Sequence, residues 1–233
     1  MMLDIFSSFD PLTFKLMMNL SPSLFWMLNF TIMFILYPSM NLTSTRMNNF
    51  MLMPLMSMLS QSMRTLSIHM KGLTSIITLL FLFLILMNLL GILPYVFSYS
   101  SHLTMTLSLG LPLWLSMILS AMFYSPKLFT THLLPAGAPQ WLNPFLILTE
   151  TLSMCVRFIT LSFRLAANMS AGHILLTLMG ITTSSFFLMN SYNLTLSLIL
   201  ELSYLIFEMG ICLIQAYVFC LLLTLYSNDH PMN

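Results

Sequence analysis

Glu150-Thr-Leu-Ser-Met-Cys-Val-Arg157-Phe-Ile-Thr-Leu-Ser-Phe-Arg164-Leu-Ala-Ala-Asn168-Met-Ser-Ala-Gly172-His173-Ile-Leu-Leu176 is an apolar, helix-forming stretch that nevertheless carries Glu150, Arg157, Arg164, Asn168 and His173. An ionisable group at bilayer depth costs about 3 kcal/mol on insertion scales, so such groups are retained where they have a task. The rest of the chain gives the stretch its medium. Of 233 residues, 58% are hydrophobic and 6% charged, and the mean hydropathy is +0.94. A soluble domain carries about 25% charged residues. The composition predicts an all-α, polytopic membrane protein.

The formal charge of +1 is too small to recruit nucleic acid. Cys155, Cys212 and Cys220 lie in apolar runs without metal-ligand spacing and read as packing residues. No Gly-rich phosphate loop is present, and no cofactor is expected. The 24 Met residues point to an organelle genome that reads an extra codon as Met. Asp4 and Asp10 precede Lys15 with no Arg-rich presequence, so neither import nor secretion is expected.

Working outward, residues 1–40 hold an N-terminal segment and a first crossing between Ser23 and Tyr37. Residues 41–72 are richer in Ser, Asn and Thr. There Leu52, Leu55, Leu59, Met63, Leu66 and Met70 recur at helical spacing, with Ser57, Gln61, Arg64 and Lys71 on the other side, which predicts an interfacial amphipathic helix. Residues 73–125 form a membrane hairpin, Leu73 to Pro94 and Leu103 to Tyr124, joined by a polar turn at Ser98 to His102 and kinked at Pro112. Residues 126–143, with Lys127 and Pro135 to Pro139, mark a loop.

Residues 144–233 complete a single membrane domain as a hairpin of two long helices, for about five crossings in all. The first stays apolar from Pro144 to about Met189. At 1.5 Å per residue that is about 68 Å, against a bilayer core of about 30 Å, so the helix either breaks near Gly180 or lies steeply tilted. Arg46, Arg64, Lys71 and Lys127 fall on one side of this topology, which places the N-terminus outside and the C-terminus inside. His69, His102, His132 and His230 read as ordinary loop or interface histidines.

Glu150, Arg157 and Arg164 are spaced by seven and share nearly one helix face with Thr160, Ala167, Asn168 and Ala171. His173 points to the opposite side, with Ser162, Ala166 and Ser170. The last helix repeats the spacing with Glu201, Glu208 and Gln215. Two helices that each carry a polar stripe in apolar surroundings imply a hydrated path or a buried ion network. Arg164 stays charged at any physiological pH and cannot relay protons by titrating, so its role is electrostatic. Arg157 can instead snorkel or pair with Glu150, and His173 can serve as an interhelical donor. A lone His is weak evidence for a metal.

Four pieces carry a family likeness: Arg164-Leu-Ala-Ala-Asn168-Met-Ser-Ala-Gly172-His173; Glu208 to Phe219, ending Ile-Gln215-Ala-Tyr217-Val-Phe; Asn88-Leu-Leu-Gly91-Ile-Leu-Pro94; and Asp4-Ile-Phe-Ser-Ser-Phe-Asp10-Pro11. In these the sequence resembles, along essentially its whole length, the subunit a family of the F-type ATP synthases in its mitochondrial form. The resemblance implies a non-catalytic stator subunit of the inner mitochondrial membrane, N-terminus in the intermembrane space and C-terminus in the matrix. It implies as partners the rotor ring of c subunits, other membrane-sector and peripheral-stalk subunits, the lipid bilayer and protons. Arg164 then faces the rotor carboxylates, His173 and Glu208 line the outer half-channel, and Glu150 lies near the matrix exit. Asn168 and Gln215 are polar neighbours of the arginine, with Arg157, Glu201 and Tyr217 as secondary residues of the path. One departure is Phe158, where the family often has Pro. An antiporter-type subunit of a respiratory complex would instead show repeated halves with Lys and Glu pairs, and neither is present. A scaffold subunit would tolerate neutralisation of Arg164.

Overall fold

The computed structural model of the chain describes residues 9, 27, 46–93, 96–132, 140–187, 191–228 and 230. The first crossing between Ser23 and Tyr37, apart from Met27, and the loop Pro135 to Pro139 lie outside the described residues. What is described is helical: α1 (Arg46–Ser62), α2 (Leu73–Ile92), α3 (Leu103–Tyr124), the short α4 (Pro126–His132), α5 (Asn143–Phe187) and α6 (Ser191–Asn228). Among these, α2, α3, α5 and α6 are long and apolar enough to cross a membrane.

Helices dominate because a backbone in lipid must satisfy its own hydrogen bonds. The numerous Ser and Thr residues follow the same rule. Thr160 Oγ1 donates to the Arg157 carbonyl at 2.9 Å, Ser162 Oγ to Ile159 at 2.9 Å and Ser203 Oγ to Leu200 at 2.8 Å. Each hydroxyl is folded onto its own helix, so it adds little polarity to the apolar surface.

α5 is unbroken through Gly180 over its 45 residues, so of the two expected arrangements the structure adopts the long helix. A single Gly costs a helix only about 1 kcal/mol, too little to outweigh the hydrogen-bonded turns on either side. α3 likewise continues through Pro112. α1, in contrast, stops at Ser62, well before Met70. Turns and a one-turn 3-10 segment at Leu66–Ile68 follow, and Gly72, at φ 81°, starts α2 from a left-handed conformation that side chains disfavour. The predicted apolar stripe of this region is turned largely outward, with Leu52, Leu59, Met63 and Leu66 exposed, while Met58 and Ser62 are fully buried. Gln61 reaches across to Tyr217, donating to its hydroxyl at 2.6 Å.

α2 and α6 form the densest part of the core. Ile77, Phe81 and Leu84 of α2 meet Ala216, Phe219, Cys220 and Leu223 of α6, with Met58, Met117, Leu161 and Leu165 added from α1, α3 and α5. Ala216 and Cys220 are fully buried. Small side chains here let helices approach closely, which matters in lipid because apolar contact alone does not distinguish a neighbouring helix from an acyl chain.

The connection between α2 and α3 departs from the expected exposed polar turn. Ser98, Tyr99 and Ser100 are buried, and Phe97 packs on Tyr99 and stacks on His102 with ring centroids 5.1 Å apart. Burial pushes the Tyr99 hydroxyl up to about 12 and lowers His102 from its ordinary value of 6.5. A histidine whose folded pKa is depressed stabilises the fold above its unfolded pKa, and that contribution is lost as pH falls through the folded value. Amide protection around residues 96–102 is therefore expected to be constant above pH about 7 and to fall on acidification below pH about 6.5. In His102→Gln the acid dependence should disappear, as hydrogen exchange at several pH values would show.

Candidate functional site

α5 presents two chemically different faces. Thr160, Arg164, Ala167 and Ala171 are exposed, whereas Leu161, Ser162, Leu165, Ala166, Met169 and Gly172 are buried against the bundle. Arg164 makes no ion pair within the chain among the described residues, and its neighbours on the exposed face are small. His173 is partly buried on the opposite side, near the Gly91 backbone carbonyl, and its ring meets Phe9 edge to face at 6.2 Å.

The buried side of α5 meets the polar stripe of α6. Glu208 is only 3% exposed and Gln215 6%. Both line a cavity of about 20 Å³, together with Asn88, Asn168, Gly172 and Tyr204. A water molecule needs about 10–15 Å³ on this measure, so the cavity accommodates one. Asn168 Nδ2 donates to Gln215 Oε1 at 3.1 Å, which ties α5 to α6. Both carboxylate oxygens of Glu208, Gln215 Nε2 and Asn88 Oδ1 have no hydrogen-bond partner among the described residues. An unpaired buried polar group costs about 1–3 kcal/mol. Four such atoms, on three side chains, surround one water-sized cavity.

Gly172 makes this placement possible. A Cβ there would overlap the Glu208 carboxylate, lying 2.7 Å from Cδ and closer still to Oε1. The carboxylate thus rests directly on the α5 backbone. Gly172→Ala is expected to displace the Glu208 carboxylate and, because Ala's helix propensity returns about 1 kcal/mol of an overpacking cost of about 1–3, to destabilise the α5–α6 packing by about 0–2 kcal/mol. Shortening the acid in Gly172→Ala/Glu208→Asp should restore part of the loss. Thermal inactivation of the assembled complex measures both, and equal loss in the single and double variants would remove Gly172 from this role.

Other polar residues are placed elsewhere. Arg157 lies 3.8 Å from Glu150 Oε1 as an ion pair, with both side chains 41% exposed, and its guanidinium sits 5.8 Å above the Tyr226 ring. Such a half-exposed pair contributes little to stability. Glu201 is partly exposed and does not line the cavity, and Tyr217 is engaged by Gln61. Tyr204, which lies between Glu201 and Glu208 in the stripe of α6, joins the site, and so do Asn88 and Gly172, which were not assigned to it from the sequence. An Asn inside an otherwise apolar span was the available signal for Asn88. The described residues contain no cluster of His, Cys, Asp or Glu able to hold a metal.

Comparison with known proteins agrees with this architecture. The family model described as "ATP synthase A chain" matches residues 18–228. ATP synthase subunit a of Locusta migratoria is 39% identical, covering 98% of this chain and 99% of its own. ATP synthase subunit a of Albinaria caerulea is 45% identical over 67% of this chain and 72% of its own. ATP synthase F(0) complex subunit a of Loxodonta africana is 42% identical over 71% and 76%. With nearly the whole sequence matched and polar residues distributed between α5 and α6, the chain belongs to the ATP synthase A chain family.

Proposed function

We propose that this chain is the stator proton-translocating subunit of an F-type ATP synthase membrane sector, non-catalytic itself, and that it couples proton flow to rotation of a ring of c subunits. The observation that carries this reading is the separation of Arg164, on the exposed face of α5, from Glu208, which is buried against Gly172 on the adjoining face and has no partner among the described residues. A proton arriving beside His173 and Glu208 neutralises a rotor carboxylate, travels with the ring through lipid, and is released toward Glu150. Arg164 favours the ionised rotor carboxylate and opposes a cation's direct passage between the two routes. Asn168 and Gln215 link the cavity to the arginine's helix, and Arg157, Glu201 and Tyr217 are secondary.

The mitochondrial inner membrane is the location that the relatives and the composition favour. The Lys and Arg distribution supports an N-terminus in the intermembrane space and a C-terminus in the matrix. A purely structural subunit has no use for a buried acid without a partner.

The test is proximity. Cysteine replacing Ala167 or Ala171, beside Arg164, is expected to cross-link to a cysteine on the outer helix of the c subunit within the assembled complex. Cysteine replacing Ala166, on the buried face, should not. Equal cross-linking from both faces, or none from either, would overturn the assignment.

A further inference from the structure

At the end of the bundle where α2 begins and α3 and α6 terminate, an open groove of about 710 Å³ is lined by His69, Lys71, Ser120, Tyr124 and His230. It holds one permanent cation and two imidazoles, and no carboxylate lines it among the described residues. Lys71 and His69 are exposed, so their charge is available to a ligand. His230 lies near the Ser120 backbone at the groove wall, and neither of its ring nitrogens has a hydrogen-bond partner among the described residues. The groove shares Met70 and His230 with a narrower slot of about 60 Å³. Trp114, Met117, Ile118 and Tyr226 make that slot largely apolar. Arg157 also lines it but is already paired with Glu150.

Three membrane-length helices start or stop at this level, with Tyr124 67% and Phe123 82% exposed beside it. Aromatic side chains of this kind mark the boundary between acyl chains and water. We propose that the groove binds the phosphate of an anionic phospholipid headgroup, held by Lys71 and the two histidines, with an acyl chain entering the apolar slot. The shared chemistry is a phosphate oxyanion on a cation, and a free phosphate would satisfy Lys71 equally. The adjoining slot favours the lipid, because it offers apolar surface that a free ion cannot use. A basic pocket between membrane helices at the headgroup level is a recurrent form of lipid recognition.

The assembled complex in detergent, labelled with photoreactive phosphatidylglycerol or photoreactive phosphatidylcholine, tests this. Mass spectrometry would locate the adducts. Phosphatidylglycerol is expected to label peptides containing residues 66–71 and 114–124 about fivefold more than phosphatidylcholine, the factor that one basic residue near a membrane surface supplies. Lys71→Gln should lower the labelling by about the same factor and Lys71→Arg should retain it. Ser120→Asp, which places an anion in the groove with Lys71 intact, should lower it as well. Excess inorganic phosphate should leave it unchanged. Equal labelling by both lipids, or insensitivity to Lys71→Gln and Ser120→Asp, would overturn the proposal. Displacement by inorganic phosphate would assign the groove to a free anion and overturn the lipid.

Discussion

Arg164→Lys is expected to abolish both ATP-driven proton pumping and proton-driven ATP synthesis in a complex that still assembles and whose soluble head still hydrolyses ATP. Arg164 is exposed on α5 and has no ion pair within the chain among the described residues, so losing the guanidinium breaks no such contact. Its proposed work is done on a partner's carboxylate. A guanidinium keeps its proton under any desolvation, whereas an ammonium in an apolar site can lose about 3–5 pKa units. Lysine therefore surrenders the barrier when the ring covers it, and it lacks the planar fork that engages a carboxylate with two bonds. Coupled flux should drop by about a hundredfold or more, since one pKa unit corresponds to a factor of ten. Reconstituted vesicles in which pumping, synthesis and passive leak are measured separately give the answer. Wild-type coupling in the lysine variant would end the electrostatic role assigned to Arg164 and return the antiporter and scaffold readings to contention.

Glu208→Gln comes second in expected effect. The amide preserves the size of the side chain in its notch against Gly172, so the α5–α6 packing and assembly should survive. What is lost is the exchangeable proton on a group that is 3% exposed at the cavity. A positioned acid–base group contributes about 10²–10⁴ to a proton-transfer step, so uptake from the outer side should slow by at least about a hundredfold. The wild-type dependence on outer pH should flatten as well. Proton pumping at several outer pH values distinguishes the outcomes, because an unchanged rate and pH profile in the Glu208→Gln complex would leave Glu208 only a packing role.

The helices were legible because length and hydropathy are local properties. Leu73 to Pro94, Leu103 to Tyr124 and the two long C-terminal runs were each found within a few residues of α2, α3, α5 and α6. The fate of α1 was not legible. The same periodic apolar residues suit a helix that continues and one that turns, and the choice depends on Ser62 and Ser67 being buried against the bundle. Nor could the sequence foresee a buried turn at Ser98 to Ser100, because Ser and Tyr normally announce exposure and only tertiary packing reverses that. In the polar region, the spacing by seven named Glu208 and Gln215, and the shared face with Arg164 named Asn168, and the structure gathers these three around one cavity. It also named Glu201, which lies away from it. Gly172 stood in the family motif but gave no sign of its role, since a glycine's value as a notch exists only once Glu208 is opposite it.

The unbroken 45-residue α5 also has a geometric consequence for charge separation. A straight helix of about 68 Å confined to a core of about 30 Å compresses distance along its axis by about 0.44 when projected on the membrane normal. Arg164 and His173 are nine residues apart, about 13.5 Å along the helix. Only about 6 Å of that would be depth, and about 12 Å would lie in the plane of the membrane. On the proposed function, the two aqueous approaches would then sit side by side rather than one above the other. A rotor carboxylate would then have to sweep sideways to pass from one to the other, over a distance set by the tilt of this helix and the bilayer thickness.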